Sequence, residues 1–237
     1  MKYDKNSNSY TIIFSVILVV VVGAALAAVA VGLKPIQDAN GVIKKKMDIL
    51  SALGIESTRK TANDLYDQYI LEEESIVLNT KGEKIEGKAF DIDIQKEFRD
   101  KKISPEQRRF PLYVANIEGE KIFVLPMVGK GLWGPIWGNV AVKSDMSSIY
   151  GAKFDHKGET PGLGAEINKP FFYEQFKQES ISENGAYKKI KIVKDGSGSQ
   201  PGRVDGITGG TITSKGVEEM LDRTIQVYVN YFATLKQ

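Results

Sequence analysis

A segment rich in glycine and hydroxyl groups near the C-terminus is the strongest candidate for a functional site. It covers residues 205–214 and reads DGITGGTITS. Its glycines let the backbone approach a ligand closely. A helical pattern follows directly, and the free amides and dipole of a helix N-terminus favour a bound phosphate. A helix capped by Thr213 or Ser214 after a glycine turn would look the same in sequence, so both interpretations remain open.

Two further glycine-rich segments could present backbone to a ligand. Residues 129–134 read GKGLWG and residues 156–164 read HKGETPGLG. The first fits G-x-G-x-x-G, but a dinucleotide site needs a helix at the third glycine, where a strand pattern begins here. A hairpin presenting Trp133 and Trp137 fits better, and these rings are either core or a flat wall for a planar ligand. The second segment predicts an irregular loop, with His156 as a surface or capping residue.

Composition restricts the chemistry open to the chain. Its 237 residues include no cysteine and one histidine, which excludes thiolate metal sites, disulfides and any intrachain site that needs two imidazoles. Basic and acidic residues number 32 and 30, so the positive surface typical of nucleic-acid binding is not expected. We expect no metal site and no nucleic-acid partner. An organic cofactor, carboxylate and hydroxyl chemistry, or no chemistry at all remain.

One segment is apolar enough to cross a membrane. Residues 12–33 read IIFSVILVVVVGAALAAVAVGL without a charge, and about 20 such residues span the hydrocarbon core as a helix. A cleavable signal peptide has a shorter apolar region, of about 7 to 15 residues. We therefore predict an uncleaved transmembrane helix in the lipid bilayer, preceded by a short tail over residues 1–11. Lysines lie on both sides of the span, so charge does not fix its orientation.

Hydrophobic periodicity predicts the elements that must position the glycine-rich segments. A helical connecting region is expected over residues 34–78, with an amphipathic helix continuous with the span and a short helix over 61–71. The remaining residues, 79–237, would form one domain. Its predicted strands are 111–117, 121–127, 135–142, 147–156 and 187–193, and its predicted helices are 170–178 and 214–235.

The order of these elements predicts the fold class. The first two strands flank a three-residue turn that contains glycine, which indicates a hairpin. Because no helical pattern separates most of the strands, the sheet should be mostly antiparallel. We therefore predict an α+β fold, in which an N-terminal transmembrane helix precedes a mostly antiparallel sheet packed by helices.

Taken together, the three glycine-rich segments resemble the FMN-binding domain family. DGITGGT, residues 205–211, looks like the flavinylation motif Asp-x-x-Ser/Thr-Gly-Ala-Thr, in which a flavin transferase joins FMN through its phosphate to the last threonine. GETPGLG and GKGLW match two further motifs of that family. With a single N-terminal span and this chain length, their order resembles the NqrC family of Na+-translocating NADH:quinone reductases over essentially the whole chain.

The resemblance implies a covalent FMN and a set of residues around it. Thr211 would be the phosphate acceptor, and Asp205 and Thr208 would serve recognition by the transferase as well as local hydrogen bonding. Gly210 stands where the motif has alanine, and the missing methyl should loosen that turn. The other residues that the resemblance places beside the cofactor are Gly209, Thr213, Trp133, Glu159, Thr160, Gly162 and Leu163.

The resemblance also implies a function. The chain would relay electrons through FMN within a six-subunit complex that oxidises NADH, reduces quinone and exports Na+. Because the flavin ring performs the transfer, no side chain is expected to act as a catalytic acid, base or nucleophile. The FMN domain would lie on the periplasmic side of the bacterial inner membrane. The alternatives are the equivalent FMN-carrying protein of an Rnf-type ferredoxin:NAD+ oxidoreductase and a membrane-tethered ligand-binding module without a redox role.

Overall fold

A computed structural model of the chain describes residues 7–235. The α-helices within that range are α1 (Asn8–Ala52), α2 (Ala62–Tyr69), α3 (Ile94–Arg99), α4 (Pro170–Tyr173) and α5 (Thr211–Leu235). The strands are β1 (Ile76–Leu78), β2 (Lys84–Ile85), β3 (Phe110–Ile117), β4 (Glu120–Lys130), β5 (Pro135–Val142), β6 (Ile149–His156), β7 (Ser182–Glu183), β8 (Ala186–Tyr187), β9 (Lys191–Val193) and β10 (Arg203–Asp205). Short 3-10 helices cover Glu72–Glu74, Ala89–Asp91, Pro105–Gln107, Gly164–Asn168 and Glu174–Phe176.

Helix α1 contains the predicted span and the predicted amphipathic helix as one element. It runs for 45 residues and continues through Pro35, which confirms the predicted continuity. Among the described residues it is the helix long and apolar enough to cross a membrane, and none of its most apolar stretch is buried. Of the predicted tail, residues 1–6 lie outside the described range and residues 8–11 belong to the helix.

The chain divides into two compact units between Lys45 and Lys46. The connecting region predicted over residues 34–78 is therefore shared between them. Its second part, including α2 and β1, belongs to the same unit as the sheet.

A six-stranded sheet forms the centre of the second unit. Its strand order is β2-β1-β3-β4-β5-β6, and every neighbouring pair is antiparallel. This confirms the predicted α+β class with a mostly antiparallel sheet. The strand predicted over 135–142 matches β5 residue for residue.

The β3–β4 turn has two residues, one fewer than predicted. Ile117 pairs with Glu120, and the two residues between them, Glu118 and Gly119, have φ angles of 53° and 89°. Two successive positive φ angles are typical of a two-residue hairpin turn, because they match the turn to the right-handed twist of the two strands.

Both faces of the sheet are covered by helices. Helix α5 packs on one face, where the apolar side chains of the strands meet its buried stripe, and the short helix α4 adds aromatic rings there. The end of α1 and helix α2 pack on the other face. Buried residues of the first cluster include Leu125, Val140, Phe154, Phe172, Val217 and Leu221, and those of the second include Leu50, Tyr66, Tyr113, Val124 and Ala141.

The strand predicted over 187–193 is wrong as a single element. Its residues are divided between β8, which pairs with β7, and β9, which pairs in parallel with β10. The alternating pattern does correspond to burial, since Ile190 and Ile192 are both in the core. Periodicity shows which side chains are buried but not which strand each segment pairs with.

One tyrosine hydroxyl holds β3 and β4 where two prolines interrupt their ladder. Pro111 and Pro126 supply no amide hydrogen, and the paired register ends at Tyr113 and Val124. The hydroxyl of Tyr228, on α5, lies 2.8 Å from the carbonyl oxygen of Pro111 and 3.2 Å from that of Pro126. Burial raises the pKa of this phenol well above its ordinary value, so the group remains a hydrogen-bond donor.

Candidate functional site

Glycines let helix α5 and strand β4 approach each other backbone to backbone. A Cβ atom on Gly216 would overlap the carbonyl oxygen of Lys130, and one on Gly129 would lie 2.8 Å from the Cβ of Met220. Side chains at these positions would force the helix away from the strand. Gly129 of GKGLWG therefore serves helix–strand packing. Strand β5 follows it, as predicted, in place of the helix of a dinucleotide site.

A buried carboxylate joins the three glycine-rich segments. Glu159 is 5% exposed. Its Oε1 accepts a hydrogen bond from the backbone N–H of Trp133 at 2.8 Å, and its Oε2 accepts one from the Thr213 hydroxyl at 2.6 Å. A Cβ atom on either Gly131 or Gly164 would collide with this carboxylate. We call these five residues the Glu159 clasp. It brings residues 133, 159 and 213 of the predicted site into direct contact.

His156 supports the loop that carries Glu159. Its Nδ1 accepts a hydrogen bond from the backbone N–H of Glu159 at 3.1 Å. This contact is of the capping kind, one of the two roles that the sequence left open for the histidine. The loop continues through Gly162, whose φ angle of 76° lies in the left-handed region and whose N–H donates to Oε1 of Glu166 at 2.8 Å. Thr160 accepts hydrogen bonds at its carbonyl oxygen from residues 163 and 165, and its side chain is exposed.

Helix α5 begins three residues earlier than predicted. The N–H of Ser214 donates to the carbonyl oxygen of Gly210 at 2.9 Å, so Gly210 occupies the cap position. The predicted N-cap at Thr213 or Ser214 is wrong. Both hydroxyls have other partners, since Thr213 belongs to the clasp and the Oγ of Ser214 accepts from the N–H of Ile207 at 3.0 Å.

The first turn of α5 places Thr211 beside open backbone amides. Thr211 is the first helical residue and its side chain is half-buried. The amides of residues 211–213 precede the first hydrogen bond of the helix, and amides in this position can bind an anion. Thr211 therefore combines a reachable hydroxyl with a local field that favours negative charge.

The turn before Thr211 packs against the second segment. Gly209 has a φ angle of 73°, and a Cβ atom there would lie 2.5 Å from Cδ2 of Leu163. A Cβ atom on Gly210 would lie 3.0 Å from the Cβ of Ile207 and 3.2 Å from the backbone nitrogen of Gly164. The space of the missing methyl is thus taken by these neighbours, and the turn is tightly packed where the sequence suggested a looser one.

Asp205 is held by residues outside the three segments. Its carboxylate accepts a hydrogen bond from the N–H of Gly198 at 3.0 Å. Its backbone N–H donates to Oε1 of Gln175 at 2.8 Å, and its carbonyl oxygen accepts from Nε2 of the same side chain at 3.3 Å. Gln175 thus fixes the start of the DGITGGT segment. Thr208, in the following turn, is exposed.

Exposed apolar side chains come from all three segments. Trp133 is 69% exposed, Ile212 57% and Leu163 42%. Trp133 is therefore not a core residue, which excludes core packing, the first of the two alternatives for this ring. Trp137 is half-buried, and its indole Nε1 is buried with no hydrogen-bond partner among the described residues. The surface near Thr211 thus offers flat and apolar groups to a ligand.

Several residues that shape the site were not predicted. Gly131, Gly164 and Gly216 make room for the clasp and for α5, while Gln175 and Glu166 hold the loops. The glycines could have been found, because two belong to the motifs and the third interrupts a helical stripe. Nothing near Gln175 in sequence distinguishes it from a solvent-exposed residue of a short helix.

Comparison with known proteins connects this geometry to a family. The family model described as FMN-binding domain matches residues 131–226, a range that holds every predicted cofactor neighbour. The NqrC protein of the Na(+)-translocating NADH-quinone reductase of Vibrio vulnificus is 35% identical over 225 residues, which cover 86% of this chain and 87% of that one. The chain belongs to the NqrC family.

Other members of the NqrC family agree with the assignment. The protein of Haemophilus ducreyi is 32% identical and covers 92% of this chain and 89% of its own length. The crystal structure of the family member from Parabacteroides distasonis superposes with a TM-score of 0.75 at 41% identity, covering 84% of this chain and 96% of that one. The structure of NqrC from Shewanella oneidensis, 21% identical with a TM-score of 0.64, shares the fold. The predicted family is confirmed, and the chain is one component of that enzyme complex.

Proposed function

We propose that the chain is the membrane-anchored electron-relay component of a Na+-pumping NADH:quinone oxidoreductase and carries a covalent FMN. The observation that carries this proposal is the convergence of three distant glycine-rich segments on the N-terminus of α5, where Thr211 lies. Membership in the NqrC family supports the complex, and the FMN-binding domain match supports the cofactor.

The residues near Thr211 fit both ends of an FMN molecule. The hydroxyl of Thr211 and the open amides of residues 211–213 suit the phosphate. Trp133, Leu163 and Ile212 offer exposed apolar surface that suits the planar ring and excludes water from it. Gly209 and Gly210 let the turn before Thr211 pack closely against Leu163 and Ile207. We therefore propose a phosphoester between FMN and Thr211.

The clasp has a positioning role in this proposal. Both oxygens of Glu159 accept hydrogen bonds from protein donors, so the carboxylate ties the backbone of Trp133 to the first turn of α5, which carries Thr211. Thr160 and Gly162 shape the intervening loop, and Asp205 and Thr208 present the leading positions of the motif to a flavin transferase. FMN supplies the electron transfer when bound, and the chain binds it, orients it and shields it.

The anchor and the location complete the proposal. Residues 12–33, within α1, would cross the lipid bilayer, because their length and apolar character match its hydrocarbon core. The FMN-binding domain over residues 79–237 would lie on the periplasmic side of the bacterial inner membrane. Electrons would pass from NADH toward quinone through the other members of the six-subunit complex, coupled to Na+ export.

The intact mass of the chain tests the covalent link. The full-length chain, co-expressed with a flavin transferase, should gain the mass of FMN less one water, and peptide mapping should place the gain on Thr211. Thr211→Ala should lose the flavin entirely and keep its fold, because a half-buried hydroxyl contributes little to the core. Thr208→Ala, also in the motif, should be modified at lower yield.

Controls make the result decisive. A known substrate of the same transferase, expressed in parallel, must be modified for a negative result to count. Covalent flavin retained in Thr211→Ala would refute the attachment site. An unmodified wild-type chain beside a modified control would favour the ligand-binding module without covalent flavin.

A further inference from the structure

A cavity lies between α3, α5, the start of β3 and residues 126–128 of β4. It is a groove of about 420 Å³. None of the predicted cofactor neighbours lines it. Its walls are partly apolar, with Ile94, Phe98 and Val227 among them, and three arginines also line it: Arg108, Arg109 and Arg223. We call it the arginine groove.

One of the three arginines is neutralised within the chain. Glu97 is 6% exposed, and its Oε1 accepts a hydrogen bond from Nε of Arg109 at 2.7 Å. Its Oε2 accepts the backbone N–H of the same arginine at 2.9 Å. The other carboxylate of the lining, Glu106, is fully exposed to solvent. Glu106 interacts with the charge of Arg108 from this exposed position, and the buried carboxylate of the lining, Glu97, is bonded to Arg109.

Arg108 and Arg223 share one aromatic ring. Each guanidinium carbon lies 4.9 Å from the centre of the Phe98 ring, a distance typical of cation–π contact. Nη2 of Arg223 donates to the carbonyl oxygen of Val128 at 2.7 Å. Nε of Arg108 is buried with no hydrogen-bond partner among the described residues. Two like charges that line the groove therefore contact the same ring.

The two charges oppose each other. Burial, and next the neighbouring charge of Arg108, lower the pKa of the Arg223 guanidinium, while Glu219 acts in the opposite direction. Two like charges held close together cost free energy. An anion bound in the groove beside both guanidinium groups would offset this repulsion.

We propose that the arginine groove binds a small organic anion. The two guanidinium groups would hold its carboxylate or phosphate group, since their planar sets of N–H donors match these oxyanions. Ile94, Phe98 and Val227 would contact its apolar part. The site is separate from the FMN site and does not depend on the proposed attachment at Thr211.

Calorimetry with two probes tests the proposal on the full-length chain in a non-ionic detergent. Benzoate carries a carboxylate and an apolar ring, whereas inorganic phosphate carries only the oxyanion. At least one of them should bind saturably to the wild type. Arg223→Gln and Arg108→Gln should each weaken binding about tenfold or more, which corresponds to about 1.4 kcal/mol. Tighter binding of benzoate would indicate a carboxylate ligand, and tighter binding of phosphate would indicate a phosphate ligand.

A matched control separates a site from general attraction. Arg59→Gln removes one positive charge at an exposed position outside the groove and should leave binding unchanged. Arg223→Lys, which keeps the charge and lacks the planar donor set, provides a second variant if Arg223→Gln unfolds, and should also bind more weakly. The proposal is overturned if the wild type binds neither probe saturably, or if Arg59→Gln weakens binding as much as the groove variants do.

Discussion

Replacing Glu159 with alanine should destabilise the fold through two specific donors. The change removes the acceptor of the Trp133 N–H and of the Thr213 hydroxyl. Thr213 is 1% exposed, so water cannot replace the lost acceptor without opening the structure. The damage should therefore exceed that of removing a carboxylate from the protein surface.

The magnitude follows from the number of donors left unpaired. A buried donor without its acceptor costs about 1–3 kcal/mol, so Glu159→Ala should lower the free energy of unfolding by roughly 2–5 kcal/mol. Glu159→Gln should lose only about 1 kcal/mol, because its amide oxygen can still accept from one donor. The Thr213 hydroxyl can rotate to accept from the amide N–H of that glutamine.

Urea unfolding of the full-length chain, followed by tryptophan fluorescence, measures these differences. The chain has two tryptophans, and one of them, Trp133, bonds to the clasp itself. Glu166→Ala is the matched control. This substitution removes a carboxylate from the 3-10 helix that follows the loop, and that carboxylate accepts one hydrogen bond, from Gly162. It should lower the free energy of unfolding by about 0.5–1 kcal/mol. Equal destabilisation by Glu159→Ala and Glu166→Ala would refute the role assigned to the clasp.

Two further substitutions test how α5 is held against the sheet. Gly216→Ala should lower the free energy of unfolding by about 1–3 kcal/mol, because its Cβ would overlap the Lys130 carbonyl oxygen, although alanine favours helices more than glycine does. A higher urea midpoint for this variant would contradict that contact. Tyr228→Phe should lower the free energy of unfolding by about 1–3 kcal/mol, since the carbonyl oxygens of Pro111 and Pro126 lose a buried donor. Tyr231→Phe, on the same helix, should change it by less than about 0.5 kcal/mol, and equal effects of the two tyrosine variants would rule out the proposed hydroxyl contacts.

The longer elements of this fold could be predicted from the sequence because each has a face that must be buried. Six of the eight residues of β5 are buried, and the stripe of α5 extends over many turns. The short strands β1 and β2, of three and two residues at one side of the sheet, are too short to have a period. Their positions in the sheet depend on pairing with a neighbouring strand, and a local sequence pattern does not predict that pairing.

The candidate site was predicted less completely than the fold. The three segments could be named from their glycines and from the family resemblance, but their contacts could not. Thr213 looked like a helix cap because its position relative to the glycine turn allowed it. Its hydroxyl instead bonds to Glu159, 54 residues away, and contacts over such distances in sequence depend on the assembled sheet and helix.

The contact between Gly216 and Lys130 has a mechanical consequence for Thr211. Five residues of a helix, about 7.5 Å along its axis, separate Thr211 from that contact. With the clasp also bonded to the first turn, α5 cannot slide along or roll on the sheet without breaking both. The backbone of Thr211 is therefore held in place. A group esterified to its hydroxyl would move only by rotation about the single bonds beyond the threonine oxygen.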